Sequence, residues 1–120
     1  MARVLVVDDN RELADDVVEI LTAEGHEAKA VYDGQQALEL AGYDYDTALV
    51  DIRMPHMDGV TLVKHLMRRH PERTYLFMTA FSGASTMLEA LAMSQDAVLD
   101  KPLDFSRLLR LVHASAMPRA

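Results

Sequence analysis

Arg3-Val-Leu-Val-Val-Asp8 is an unbroken β-branched apolar run that stops on a carboxylate, and Thr47-Ala-Leu-Val-Asp51 has the same shape. Neither run carries a helical period, and neither alternates apolar with polar residues, so each reads as a strand covered on both faces. Strands of that kind belong in a parallel sheet, where the crossover helices supply the cover. The segments between and after them fit this scheme. Asn10 caps a helix whose apolar positions Leu13, Val17, Ile20 and Leu21 recur at helical spacing, and Gly25 stands just past its end. A weaker strand covers roughly His26 to Tyr32, Asp33 caps a second helix carrying Ala37, Leu38 and Ala41, and Gly42 closes it. After the third strand the turn residues Pro55, Asp58 and Gly59 lead to a helix with Leu62, Val63, Leu66 and Met67, which Pro71 terminates.

Thr74 to Thr79 is the fourth strand, Ser82 or Gly83 begins a helix bearing Met87, Leu88 and Leu91, and Ala97 to Asp100 is a short fifth strand stopped by Pro102. The last helix opens at Asp104, and Phe105, Leu108, Leu109 and Val112 fall at i, i+3, i+4 and i+7. Five strands alternating with five helices call for right-handed crossovers and define an α/β fold. With no internal repeat and no linker, residues 1–120 read as a single domain, and about 115–120 as a short tail. That tail is too short for a further domain, which leaves a stand-alone unit or a piece of a longer chain.

Composition narrows the function. Twelve basic against nineteen acidic residues give a net charge of −7, a field that repels nucleic acid and anionic membrane. Direct nucleic-acid or membrane binding is therefore not expected. Cysteine is absent, which excludes a disulfide framework, thiolate catalysis and a cysteine zinc site and agrees with a cytoplasmic location. The longest apolar runs, Val4 to Val7 and Tyr75 to Phe81, fall far below the ~20 residues of a membrane span, and neither an anchor nor a signal peptide is expected.

Open α/β sheets bind ligands beyond the carboxyl ends of their strands. Asp8 and Asp9 end the first strand, Asp51 the third and Thr79 the fourth, while Lys101 follows the fifth. One such Asp is ordinarily a turn former; five polar residues converging on one edge are another matter. Two carboxylates about 4 Å apart repel by roughly 4 kcal/mol at an effective dielectric of 20, so cations must offset them. Lys101 supplies one charge. The remaining excess suits a hard divalent ion with oxygen ligands, Mg2+ above all, whereas zinc lacks its ligands here. Other signals read as structural. His65 and His70 lie five apart, off one helical face, at a helix end; His56 is a solvent-exposed loop residue; the eight Met residues mostly read as core. No G-x-G-x-x-G follows the first strand and no P-loop is present.

The stretches Val-Leu-Val-Val-Asp8-Asp9-Asn10, Leu-Val-Asp51-Ile-Arg-Met-Pro55-His-Met-Asp58-Gly59, Met-Thr79-Ala80 and Leu-Asp-Lys101-Pro102 resemble, in order and spacing, the receiver domain of two-component response regulators. The resemblance spans essentially the whole chain. It implies a flavodoxin-like doubly wound (βα)5 fold with a five-stranded parallel sheet in the order 2-1-3-4-5. It implies that Asp51 is the phosphoacceptor, that Asp8, Asp9, Asp51 and the backbone carbonyl of Arg53 bind Mg2+, and that Thr79 and Lys101 contact the phosphoryl oxygens. A cis Lys101-Pro102 bond is implied as well. The implied partners are a histidine kinase or histidine phosphotransfer protein, a downstream protein or fused output domain, and a second copy through the face of the fourth helix, fifth strand and fifth helix. Such a domain catalyses only its own phosphorylation and slow dephosphorylation and is a signalling switch rather than an enzyme.

Two positions depart from that pattern. Val98 stands where the family usually has an aromatic residue, and Ser94 replaces a common glycine. A valine has few χ1 states and no hydroxyl, so it carries little of an inward–outward switch. Any phosphate-linked change is therefore expected mainly from Phe81 to Thr86, where Gly83 permits movement. Two other classes compete. A pseudo-receiver interaction module would keep the fold and work without phosphate; the intact Asp8, Asp9, Asp51, Thr79 and Lys101 argue against it, and Val98 leaves it open. A phosphatase of the haloacid-dehalogenase type would need an Asp-x-Asp turn after the first strand and a cap domain, and this chain has adjacent Asp8-Asp9.

Overall fold

The computed structural model describes residues 1–40, 42–80 and 98–118. In chain order these form β1 (Arg3–Val7), α1 (Arg11–Ala23), β2 (Glu27–Val31), α2 (Gly34–Glu39), β3 (Thr47–Asp51), α3 (Gly59–Arg69), β4 (Thr74–Thr79), β5 (Val98–Asp100) and a last helix (Phe105–Ser115). The strands make one sheet in the order β2-β1-β3-β4-β5, every pairing parallel. This is the flavodoxin-like arrangement expected from the sequence.

The unbroken apolar runs are explained by a core on each face of the sheet. Successive strand residues point to opposite sides. In β1, Leu5 and Val7 pack with Ala37, Val60, Val63 and Leu66 of α2 and α3, while Val4 and Val6 pack with Val17 and Leu21 of α1 and Leu108 and Val112 of the last helix. In β4, Tyr75 and Phe77 join the first core, Leu76 and Met78 the second. Each described helix begins on an acidic or amide cap. The side chains of Asn10, Asp33, Asp58 and Asp104 accept from the N–H three residues on, at 3.1, 2.7, 2.8 and 3.2 Å. A cap of this kind contributes about 1 kcal/mol.

The structure departs from expectation in three places. α2 ends at Glu39, because the Leu40 N–H turns back to the Ala37 carbonyl and closes the last turn tightly. Gly42, in the left-handed region at φ 86°, therefore sits in the following loop rather than at the helix end, and Ala41 lies outside the described residues. Met67 is 37% exposed, on the rim of the apolar stripe of α3 rather than in the core. The His70 ring is half-buried and packs edge-on against Tyr45 at 5.5 Å between centroids, so it is more than a surface residue. The helix expected from Ser82 or Gly83, with Met87, Leu88, Leu91 and the loop residue Ser94, lies outside the described residues, as does the expected response of Phe81 to Thr86. Among the described residues, no helix is long and apolar enough to cross a membrane.

Candidate functional site

The parallel register brings the strand ends to a common carboxyl edge. β1 delivers Asp8, which is fully buried and whose N–H donates to the Val31 carbonyl at 3.2 Å. One Asp8 oxygen accepts the Asn10 N–H at 3.0 Å, so the residue that caps α1 also orients the carboxylate. β3 ends on Asp51, 6% exposed, with the next N–H, that of Ile52, donating to the Met78 carbonyl of β4. Thr79 is buried at the end of β4 in register with Asp100, and its carbonyl accepts the Lys101 N–H at 2.8 Å. The Lys101-Pro102 bond is cis. From there the Lys101 ammonium reaches back to Asp8 Oδ2 at 2.9 Å and lies 3.6 Å from Asp51 Oδ1. Asp9 is exposed, and one carboxylate oxygen from each of Asp8, Asp9 and Asp51 lies within 4.8 Å of the others.

The loop after β3 frames this group. The Gly59 N–H donates to the Ile52 carbonyl at 2.8 Å, and a Cβ on Gly59 would stand 2.2 Å from the Asp51 carbonyl oxygen. Only glycine lets α3 start this close to the β3 backbone. The sequence presents Gly59 as a turn residue; its contact with Asp51 follows only from the chain doubling back. His56 is exposed, as expected, and adopts φ 71° at a tight turn in which the Met57 N–H meets the Pro55 carbonyl. Arg53 has an exposed side chain, and its backbone N–H bonds to the Asp51 carboxylate.

Charge is unbalanced here. Burial first, and the neighbouring Asp8 second, push the Asp51 carboxyl up to about 6, against the opposing pull of Lys101 and the Arg53 N–H. Among the described residues the Lys101 ammonium pairs with two buried carboxylates, Asp8 and Asp51, and the exposed Asp9 adds a third beside them. The donor set is all oxygen, hard and anionic, which fits a Mg2+ ion and not a soft metal.

With this geometry in place, comparison with known proteins defines the class. The chain belongs to the response regulator receiver domain family, whose pattern matches residues 4–113. A response regulator receiver protein of Anaeromyxobacter sp. (strain Fw109-5) is 39% identical over 112 residues, which cover 92% of this chain and 47% of that protein. The transcriptional regulatory protein ZraR of Salmonella typhimurium is 37% identical over 106 residues, 88% of this chain and 24% of ZraR. The chain thus spans about half the length of one relative and a quarter of the other. The structure of response regulator protein TrrA from Thermotoga maritima, solved in complex with Mg2+-BeF, superposes with a TM-score of 0.83 at 27% identity and covers 96% of this chain and 99% of TrrA. Receiver domains of this family are regulators in two-component systems, partnered by histidine kinases, and phosphorylation-dependent switching is their general function.

Proposed function

We propose that this chain accepts a phosphoryl group on Asp51 from a histidine kinase or histidine phosphotransfer protein and passes the signal on through its surface to a downstream protein or fused output domain. The observation that carries the reading is the pairing of Asp51, buried and short of positive charge, with the Lys101 ammonium 3.6 Å away. An Asp51 carboxylate oxygen bonds to phosphorus as the donor's bond to phosphorus breaks and the departing group takes a proton from solvent. Lys101 and the Thr79 hydroxyl donate to the phosphoryl oxygens, where negative charge accumulates in the transition state. Asp8, Asp9, Asp51 and the Arg53 carbonyl would hold Mg2+, which supplies the positive charge that lets one anion approach another. Asp8 keeps the ammonium aimed at the reacting edge through their 2.9 Å bond. Water reaching the same edge hydrolyses the acyl phosphate, so the mark is transient and the chain acts on itself alone. We place this activity in the cytoplasm, within a single receiver domain over residues 1–120.

Intact-mass measurement after incubation with Mg2+ and acetyl phosphate tests the reading. A phosphoryl adduct is expected on the wild type and is expected to be absent from Asp51→Asn and from wild type in EDTA. An equal yield in either control would falsify it.

A further inference from the structure

The opposite, amino edge of the sheet holds a titratable group that phosphoryl chemistry does not use. His26, just ahead of β2, is 9% exposed, and its Nδ1 accepts the Ala2 backbone N–H at 3.0 Å. An imidazole that accepts at Nδ1 must be neutral, with its proton on Nε2. Its ring also meets His113, in the last turn of the last helix, edge-on at 6.5 Å between centroids. Among the described residues, the charged or titratable groups acting on it are the amino terminus ahead of β1, Glu24 after α1, and His113 of the last helix. Arg3 and Glu27 beside it are paired with each other at 2.7 Å.

We infer that His26 is an acid-sensitive latch, which when neutral holds the start of β1 against the end of the last helix and when protonated releases both. Protonation puts a hydrogen on Nδ1 facing the Ala2 N–H, so a buried bond becomes a clash of two donors. It also sets a cation beside His113 and the amino terminus. Burial, those two groups and only partial opposition from Glu24 hold the imidazole below its ordinary value, which agrees with a neutral latch at neutral pH. Release would be felt along one short path. Ser115, two residues beyond His113, donates to the Val112 carbonyl at 2.6 Å and is bonded to Thr47 at the start of β3. Met117 beyond it accepts from Arg73, just ahead of β4, at 3.3 Å. The end of the last helix is therefore the part of the molecule that pH would loosen, independently of Asp51.

NMR of the full chain from pH 7.5 to 5 tests this through the histidine ring signals and the backbone amides. We expect a His26 midpoint below 6.5, the same midpoint in the amides of Ala2 and residues 112–117, and Ala2 exchange at least tenfold faster at pH 5 once corrected for the intrinsic rate. His26→Gln, which can still accept from Ala2 but does not titrate in this range, is expected to remove that midpoint from all of these amides. His113→Gln is expected to raise the His26 midpoint, since His113 is one of the groups that hold it down. A His26 midpoint at or above 6.5, or pH-dependent shifts at residues 112–117 that persist in His26→Gln, would overturn the inference. Should His26→Gln fail to fold, an unchanged His26 midpoint in His113→Gln overturns it equally.

Discussion

The two edges of the sheet are built from the same strands and solve opposite problems. At the carboxyl edge, Asp8, Asp9 and Asp51 crowd around Lys101 and leave negative charge unmatched. At the amino edge, Asp46, 1% exposed, accepts the Arg3 N–H at 3.0 Å, His26 accepts from Ala2, and the Arg3 Nε, which has no hydrogen-bond partner among the described residues, is ion-paired with Glu27 at 2.7 Å. The edges also answer to pH in opposite senses. Asp51 has its folded value raised to about 6 from an ordinary 3.8, so its contribution to stability is fully present below pH 3.8 and is lost as pH rises through 6. His26 has its folded value lowered, so its contribution is present above pH 6.5 and is lost as pH falls through the lowered value. Where unmatched like charges collect at one edge of a sheet, function is the natural explanation.

Substitutions that treat the edges alike should therefore have unlike effects. The largest is expected for Lys101→Met, which removes the ammonium 3.6 Å from Asp51. Phosphorylation by acetyl phosphate should slow about 100-fold or more, by analogy with losing one transition-state donor; a rate within threefold of wild type would remove Lys101 from the mechanism. Glycine gives a second contrast. Gly59→Ala puts a methyl group 2.2 Å from the Asp51 carbonyl oxygen and should destabilise the fold by about 3 kcal/mol or more in urea unfolding. Gly25→Ala, at the amino edge, meets open space and only a left-handed φ of 90°, and should cost about 1 kcal/mol. If the two variants are equally stable, the close approach of α3 to β3 is not what positions Asp51. An equally small effect, about 1 kcal/mol in urea unfolding, is expected for Asn10→Ala, because the Asn10 N–H that orients Asp8 remains in place.

The carboxyl edge was readable from the amino-acid sequence because each of its residues ends an apolar run, and a parallel sheet must align those ends. The fold was readable for the same reason: runs such as Val4–Val7 fit only a strand covered on both faces. The amino edge was not readable. His26 meets Ala2 and His113, and Thr47 meets Ser115, across separations that leave no local pattern. Gly59 was visible as a turn residue, but its contact with the Asp51 backbone depends on the chain's return path. α2 stops at Glu39 through a tightened turn that the apolar spacing of Ala37 and Leu38 does not encode.

The central claim is that the carboxyl edge keeps uncompensated charge at the expense of stability, in readiness for a cation and a phosphoryl group. Urea unfolding of wild type and Asp51→Asn at pH 7.5, with EDTA and then with excess Mg2+, tests it directly. In EDTA, Asp51→Asn should be the more stable by about 1–3 kcal/mol, since a shift of this size corresponds to about 3 kcal/mol before lost hydrogen bonds are subtracted. Mg2+ should then stabilise the wild type and help the variant much less. A less stable Asp51→Asn in EDTA, or a wild type indifferent to Mg2+, would contradict the account.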